Sequence, residues 1–319
     1  MFHIKNIIKN LRNRFLFPVL SNIENSQRDI AEIKTMLYDL SFRCEPHTTQ
    51  PDNRKCSGEQ LFLYMDAITT SMLLNKKIQN GTVLDYEEIL EEQYTKLINP
   101  GDCVLDIGAH SGRHLQKFIN LVKDEGKVFA FEPLKSMYDG LCHNYNYPNI
   151  KIYNLALSDS AEDVIDFYEN EEILAESGLK KRIYSHGDGK ITISKVKVTT
   201  LNNLASEFSR IDYIKIDVEG AEMSVLRGST DTINAHRPVI SVEYGYAAYS
   251  VYGETKRSLY DFCAEINYCI TDIYGNIIPT YEIWDQLCDS IYWDYFVVPS
   301  EKLGDFFKGI HFFDTLRVR

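Results

Sequence analysis

The chain has 319 residues, 44% of them hydrophobic, and a formal net charge of −12. A core of useful size can be buried at that length, and the acidic balance argues against nonspecific nucleic-acid binding across the surface, so no nucleic-acid partner is expected. Its seven cysteines form no C-x-x-C pair, which points to a reducing compartment rather than a disulfide framework.

The first segment differs from the rest. Residues 1–20 carry Lys5, Lys9, Arg12 and Arg14 and no acid, while Phe2, Ile4, Ile7, Ile8, Leu11, Phe15 and Leu16 recur at helical spacing. This predicts a basic amphipathic helix suited to an anionic lipid surface. Apolar positions from Leu20 to Leu40 continue at three-four spacing, which fits a short coiled coil and a homo-oligomer, or a helix docked on the chain's own core. Pro46, Pro51 and their polar neighbours predict a linker. The expected organisation is a helical segment over 1–45, a linker over 46–58 and one domain over 59–319.

No apolar run is long enough for a bilayer span and the start lacks a secretory core, so the expectation is a cytoplasmic protein, peripheral at the inner membrane face if the basic helix engages lipid. Residues 59–98 read as helical with a break at Asn80-Gly81, followed by a turn over Asn99-Pro100-Gly101-Asp102. Apolar runs then alternate with helix-like segments. The runs lie at 103–107, 127–132, 150–157, 211–217 and 238–243; the helical segments lie at 112–123, 135–145, 200–208 and 221–235. This alternation predicts a mostly parallel sheet with helices on both faces. The stretch 158–198 exceeds a simple crossover and reads as an added hairpin around a turn at Ser185 to Gly189. Two further strands are expected at Cys269–Tyr274 and Ile291–Val298, joined through Asn276, Pro279 and Trp284 without a helical period.

The most informative stretch is Val104 to Gly112, read with Glu132-Pro133. An apolar run ends in Asp106 and a glycine-bearing turn, Gly108-Ala109-His110-Ser111-Gly112. That is how a parallel strand hands over to a helix beneath a nucleotide. The pattern is D-x-G-x-x-x-G, not the G-x-G-x-x-G of a dinucleotide site. An acid at the strand end would face a pyrophosphate unfavourably and suits an ammonium group. Glu132, closing the next run, suits the two hydroxyls of a ribose. An adenosine with an amino-acid tail is S-adenosylmethionine.

Further motifs narrow the reading. Ile214-Lys215-Ile216-Asp217-Val218-Glu219-Gly220-Ala221-Glu222, followed by Val225-Leu226-Arg227-Gly228, resembles the signature of FkbM-type methyltransferases. The resemblance covers roughly residues 60–300 and includes Phe131-Glu132-Pro133, Ala156-Leu157-Ser158-Asp159, Val198 to Leu201, and Arg237-Pro238 through Val242-Glu243. His110-Ser111 departs from it, since relatives more often carry Asn and an apolar residue there. The resemblance implies a class I methyltransferase with a Rossmann-like sheet, S-adenosylmethionine as cofactor and a hydroxyl as acceptor. The cofactor-binding candidates are Asp106, Gly108, Ala109, His110, Gly112, Glu132, Pro133, Ser158, Asp159 and Asp217.

A hydroxyl acceptor calls for a base within hydrogen-bond reach. Asp217, Glu219 and Glu243 are the candidates, with Lys215 on the same face of its strand as Asp217. Glu222 is expected to serve the start of the following helix instead. Clustered carboxylates can also hold Mg²⁺, although no dedicated cage is evident and no metal ligands are assigned. His110 is expected to meet the cofactor from its loop, and His114 to be an exposed helix residue. Tyr244, Tyr246, Tyr249 and Tyr252 offer either a glycan-binding wall or core packing. The expected activity is O-methylation of a sugar in a glycan or glycolipid, with methylation of a small natural product as the alternative. A nucleotide-dependent oxidoreductase and a non-enzymatic adaptor are the competing classes.

Overall fold

The computed structural model describes residues 58–181 and 190–310. The expected amphipathic helix, coiled coil and linker, and the Ser185–Gly189 turn, lie outside the described residues. Contacts divide the chain into two units, Met1–Phe62 and Leu63–Arg319, and every strand among the described residues belongs to the second.

The elements in chain order are α1 (Gly58–Gln79), α2 (Tyr86–Thr95), β1 (Cys103–Ile107), α3 (Arg113–Val122), β2 (Lys127–Phe131), α4 (Lys135–Asn144), β3 (Ile150–Tyr153), β4 (Ala156–Leu157), β5 (Glu162–Asn170), β6 (Ile191–Thr199), β7 (Tyr213–Ile216), α5 (Glu222–Gly228), α6 (Thr230–His236), β8 (Val239–Glu243), α7 (Tyr246–Tyr249), α8 (Lys256–Glu265), β9 (Tyr268–Thr271), α9 (Tyr281–Leu287), β10 (Asp294–Pro299) and α10 (Leu303–Gly309). A seven-stranded sheet has the order β3-β2-β1-β7-β8-β10-β9. Only β10 runs against the others, pairing antiparallel with both β8 and β9. This is the class I methyltransferase sheet, and its order reverses between β1 and β7, where ligands of open α/β sheets bind.

Sequence chemistry accounts for the elements around that switch point. β1 is buried along its whole length, as a central parallel strand must be. α3 starts from Gly112 in the left-handed region and buries Leu115, Phe118 and Val122 at three-four spacing. α2 begins at Asp85, whose carboxylate accepts from Glu88 N at 3.0 Å.

Four segments differ from expectation. The run 150–157 is two strands in two sheets, because Asn154 Nδ2 donates to the carbonyls of Glu132 and Pro133 and turns the chain between them. The segment 200–208 forms a short 3₁₀ turn over Asn202–Glu207. The segment 221–235 is broken at Ser229, whose hydroxyl donates back to Val225 O. The stretch through Trp284 is a helix, α9, too short to show a period; it buries Trp284, whose indole donates to Lys256 O. The 158–198 insertion is the expected hairpin: β5 pairs antiparallel with β6, and β4 joins them in a three-stranded sheet.

Candidate functional site

A cavity of about 260 Å³ opens at the carboxyl ends of β1, β2 and β7. Its lining has two characters. Leu134, Leu155, Leu157, Phe167, Leu174 and Leu179 make one part, with the last three supplied by the hairpin insertion. Glu87, His110, Arg113, His114, Lys215, Asp217 and Glu219 make the other, with Gly108, Ala109, Glu132 and Pro133 also in the wall.

The turn after β1 is fixed from two sides. Gly108 N and Ala109 N both donate to Phe131 O, tying it to β2. Gly108 has φ +90°, and a Cβ there would stand 1.7 Å from Asp217 O. Only glycine allows the loop to close against β7 in this way. His110 also has positive φ, and its Nε2 is buried with no partner among the described residues.

Glu132 is more occupied than its ribose role implies. Its Oε2 accepts from His110 N and its Oε1 from Leu134 N, each at 2.8 Å. Burial pushes its pKa up to about 7. Each oxygen retains a lone pair for a further donor.

Asp106 does not line the cavity. It is 1% exposed, and neither carboxylate oxygen has a partner among the described residues. Its cross-strand partner is Lys215, so the two share a face, with Lys215 reaching the cavity wall and Asp106 shut off beneath it. Burial raises the Asp106 pKa. Lys215 is 2% exposed. Burial disfavours its ammonium, yet the charges of Asp217, Asp106 and Glu87 outweigh that and raise its pKa.

A second polar row lies above this one. Register pairs Lys215 with Ser241 and Glu243 with Asp294, which puts Asp217, Glu243 and Asp294 on one face, at the carboxyl ends of β7 and β8 and the amino end of the antiparallel β10. Lys215 Nζ donates to Asp217 Oδ2 at 2.8 Å. Burial pushes the Asp217 pKa up, but Lys215 and hydrogen bonds from Glu243 and Lys215 bring it down to about 2. Glu243 moves the other way: burial and the charge of Asp217 raise it well above its ordinary value. Asp294 is raised to about 8 by burial and by the charges of Glu87 and Asp217. Of the two, Glu243 holds a proton the more readily. Carboxylate oxygens of Asp217, Glu219 and Glu243 lie within 4.8 Å of one another, close enough to hold a cation.

One expectation needs correction, and the structure places several other residues. His114 is buried, not exposed: its Nδ1 meets Tyr94 Oη at 3.0 Å and its Nε2 meets Glu87 Oε2 at 2.6 Å, both from α2. Ser158 and Asp159 lie outside the cavity lining, since Ser158 N donates to Thr199 O and carries the chain away in the second sheet. Gly112 is also outside it, packed on Leu141 and Tyr145. Tyr244 and Tyr249 are core residues, stacked at 4.5 Å, with their hydroxyls bound to Thr255 O and Asp289. Glu222 serves the turn as expected, accepting from Val218 N and Gly220 N. Glu87 and Asp294 were not among the expected site residues. Asp294 lies inside the expected strand Ile291–Val298, where nothing in the local sequence marks it as a site acid.

The family model for the methyltransferase FkbM domain matches residues 106–269. The hexuronic acid methyltransferase AglP of Haloferax volcanii is 28% identical over 141 residues, which is 44% of this chain and 54% of that protein. The chain thus spans about half the length of that curated relative. Among solved structures, the methyltransferase FkbM of Methylobacillus flagellatus KT aligns with 14% identity and a TM-score of 0.38, covering 83% of this chain and 58% of that one. An O-methyltransferase of Thermotoga maritima aligns with 11% identity and a TM-score of 0.37, covering 70% and 69%.

Proposed function

The chain belongs to the FkbM methyltransferase family, and from that premise we propose that it transfers the methyl group of S-adenosylmethionine to a hydroxyl of a sugar in a glycan or glycolipid. The observation that carries this reading is the cavity itself. An apolar part suits an adenine ring, and an acid-rich part suits a sulfonium and an ammonium group. Leu134, Leu155 and Leu157 would hold the base. The spare lone pairs of Glu132 would accept ribose hydroxyls. His110, with its unpartnered Nε2, and the carboxylates beside Lys215 would meet the amino-acid end. S-adenosylmethionine supplies an electrophilic methyl group.

The remaining task falls to the chain: to orient the acceptor and take its proton. Asp217 alone is a weak base, because Lys215 holds its pKa near 2. Asp217 and Glu243 titrate as a pair, however, and removing the proton they share puts two adjacent negative charges at the strand edge. The doubly ionised pair is a far stronger base than a lone aspartate. Lys215 orients Asp217, and Glu219 completes the acidic wall. The closeness of Asp217, Glu219 and Glu243 also favours a second reading, in which Mg²⁺ binds there and acidifies the acceptor hydroxyl.

Calorimetry with S-adenosylmethionine and NAD, followed by a screen of glycans and nucleotide sugars for labelled methyl transfer, tests the reading. Binding of NAD in place of S-adenosylmethionine overturns it, and transfer to a non-sugar acceptor alone overturns the substrate class. Activity lost on chelation and restored by Mg²⁺ selects the metal reading.

No helix of the described residues is long and apolar enough to cross a membrane. The basic segment 1–20 supports a peripheral role at anionic lipid, where each cationic side chain is worth about 1 kcal/mol. Flotation with anionic vesicles by the full chain, and not by a chain starting at Cys44, is the expected result. A change of oligomeric mass alone would assign the segment to self-association.

A further inference from the structure

Glu87 and Glu91 lie one turn apart on α2, and both bond to side chains of α3. Their partners differ. Glu91 is matched by two full cations, Arg113 at 2.6 Å and Lys117 at 2.7 Å, and it stays outside the cavity lining. Glu87 lines the cavity, and an imidazole alone meets it: its Oε2 lies 2.6 Å from His114 Nε2. Its Oε1 has no hydrogen-bond partner among the described residues.

The imidazole is fixed on both sides. An ionised carboxylate only accepts, so His114 Nε2 is the donor. The other ring nitrogen, Nδ1, meets the hydroxyl of Tyr94, also from α2, at 3.0 Å. Tyr94 is fully buried, and the imidazole stacks on Phe118 with ring centres 6.1 Å apart. With both nitrogens engaged, His114 holds Glu87 in place. It is the second residue of α3, so it holds that carboxylate beside the loop Gly108–Gly112. Burial pushes the Glu87 pKa up, but the bond from His114 and the charge of Lys215 bring it below its ordinary value. Glu87 is therefore ionised at neutral pH.

The amino-acid end of S-adenosylmethionine carries an ammonium group, which calls for an ionised acceptor. Asp106, the acid that the sequence offers for it, is shut off beneath the cavity. Asp217 is bonded to Lys215 and stands with Glu219 and Glu243 in the acidic group assigned to the methyl acceptor. Glu87 is ionised, in the cavity wall, beside the glycine loop and with one oxygen to spare. We propose that Glu87 binds the ammonium group of S-adenosylmethionine, and that His114, braced by Tyr94, is its positioning residue. This deepens the methyl-donor reading and rests on it, while the identity of the acceptor does not enter.

Calorimetry on the full chain with three ligands tests the assignment. S-adenosylmethionine and S-adenosylhomocysteine share the ammonium group and differ in the sulfonium charge; 5′-methylthioadenosine has no amino-acid portion. Glu87→Gln should weaken binding of the first two by about 10- to 100-fold, the scale of one charge-assisted hydrogen bond. It should change binding of 5′-methylthioadenosine by no more than about twofold. His114→Phe keeps the ring packing and removes the donor, so it should lower the preference for S-adenosylhomocysteine over 5′-methylthioadenosine about fivefold. His114→Gln, which restores an N–H, should recover part of that preference. A general loss of structure would weaken all three ligands alike and leave the preference unmoved. An unchanged preference in Glu87→Gln, or an equal loss for all three ligands, overturns the assignment and leaves the methyl-donor reading standing. A loss confined to S-adenosylmethionine would mean that Glu87 answers the sulfonium, and the ammonium assignment is wrong. If the unmodified chain binds neither amino-acid ligand, the methyl-donor reading falls and takes this inference with it.

Discussion

Lys215 Nζ lies 2.8 Å from Asp217 Oδ2, two residues along the same strand and on the same face. Asp106 is the cross-strand partner of that lysine. One buried cation thus stands between a carboxylate below the cavity floor and another at its edge.

Removing that cation should be costly at high pH. In Lys215→Met the Asp106 and Asp217 carboxylates lose their compensating charge. The expected loss is about 3 kcal/mol near pH 8, the usual scale for breaking a buried pair. Near pH 5 the loss should be smaller, because the acids can take up protons instead. Urea unfolding at the two pH values measures both. Equal losses would mean that the lysine acts through packing.

The shared proton of Asp217 and Glu243 should appear in the kinetics. The rate of methyl transfer is expected to rise with pH as the pair loses that proton. Glu243→Gln should abolish this rising limb, since an amide cannot ionise. Asp217→Asn should lower kcat by roughly 10²- to 10⁴-fold, far more than it weakens cofactor affinity. A pH–rate profile of Glu243→Gln matching the parent would move the base elsewhere, to Glu219 first.

The ligand-free protein should be more stable in mild acid than in mild alkali. Glu132 and Glu222 sit near 7 in the folded chain, against ordinary values of 4.5, because both are buried. An acid with a raised pKa binds its proton more tightly when folded, so its contribution is lost as pH rises between the two values. Asp217 acts oppositely, but its stabilisation is lost only as pH falls below its ordinary value of 3.8 towards 2. Stability is therefore expected to fall by on the order of 3 kcal/mol between about pH 5 and pH 8. Calorimetric melting across that range checks it, and a melting temperature that rises with pH would contradict these assignments.

Two glycine substitutions should behave in opposite ways. Gly108→Ala drives a Cβ into the Asp217 carbonyl at positive φ. It should cost roughly 3 kcal/mol or more and abolish cofactor binding. Gly140→Ala lies in α4 with nothing within 4 Å of the new Cβ. It should be neutral or stabilising by up to about 1 kcal/mol. Denaturant midpoints compare the two directly.

Local chemistry made the strand-turn-helix joint at Gly108–Gly112 legible, because an apolar run, an acid and glycines are contiguous there. Lys215 and Asp217 were legible for the same reason, since alternation along one strand fixes a shared face. His114 was not. Its burial depends on Tyr94 and Glu87 from a helix that precedes the first strand, and nothing in its own helix reports that contact. Asp294 was hidden by the antiparallel return of β10, whose register against β8 is a long-range fact. The tyrosines after Glu243 could be picked out but not sorted. Which ones are core depends on hydrogen bonds to Thr255 and Asp289 from later in the chain.

The surplus of carboxylates around the cavity also bears on how a catalytic cycle ends. Methyl donation turns a sulfonium into a neutral thioether, so the spent cofactor has one positive charge fewer than the donor. Glu87, Asp217 and Glu219 in the wall lose one attraction at that moment, of order 1–3 kcal/mol at a partly screened site. The same acids that recruit the donor would then favour exchange of product for fresh donor, without any moving lid. The ratio of the two dissociation constants, measured at low and high salt, reports this directly. Equal affinity for both forms at low salt would show that release is governed by something other than charge.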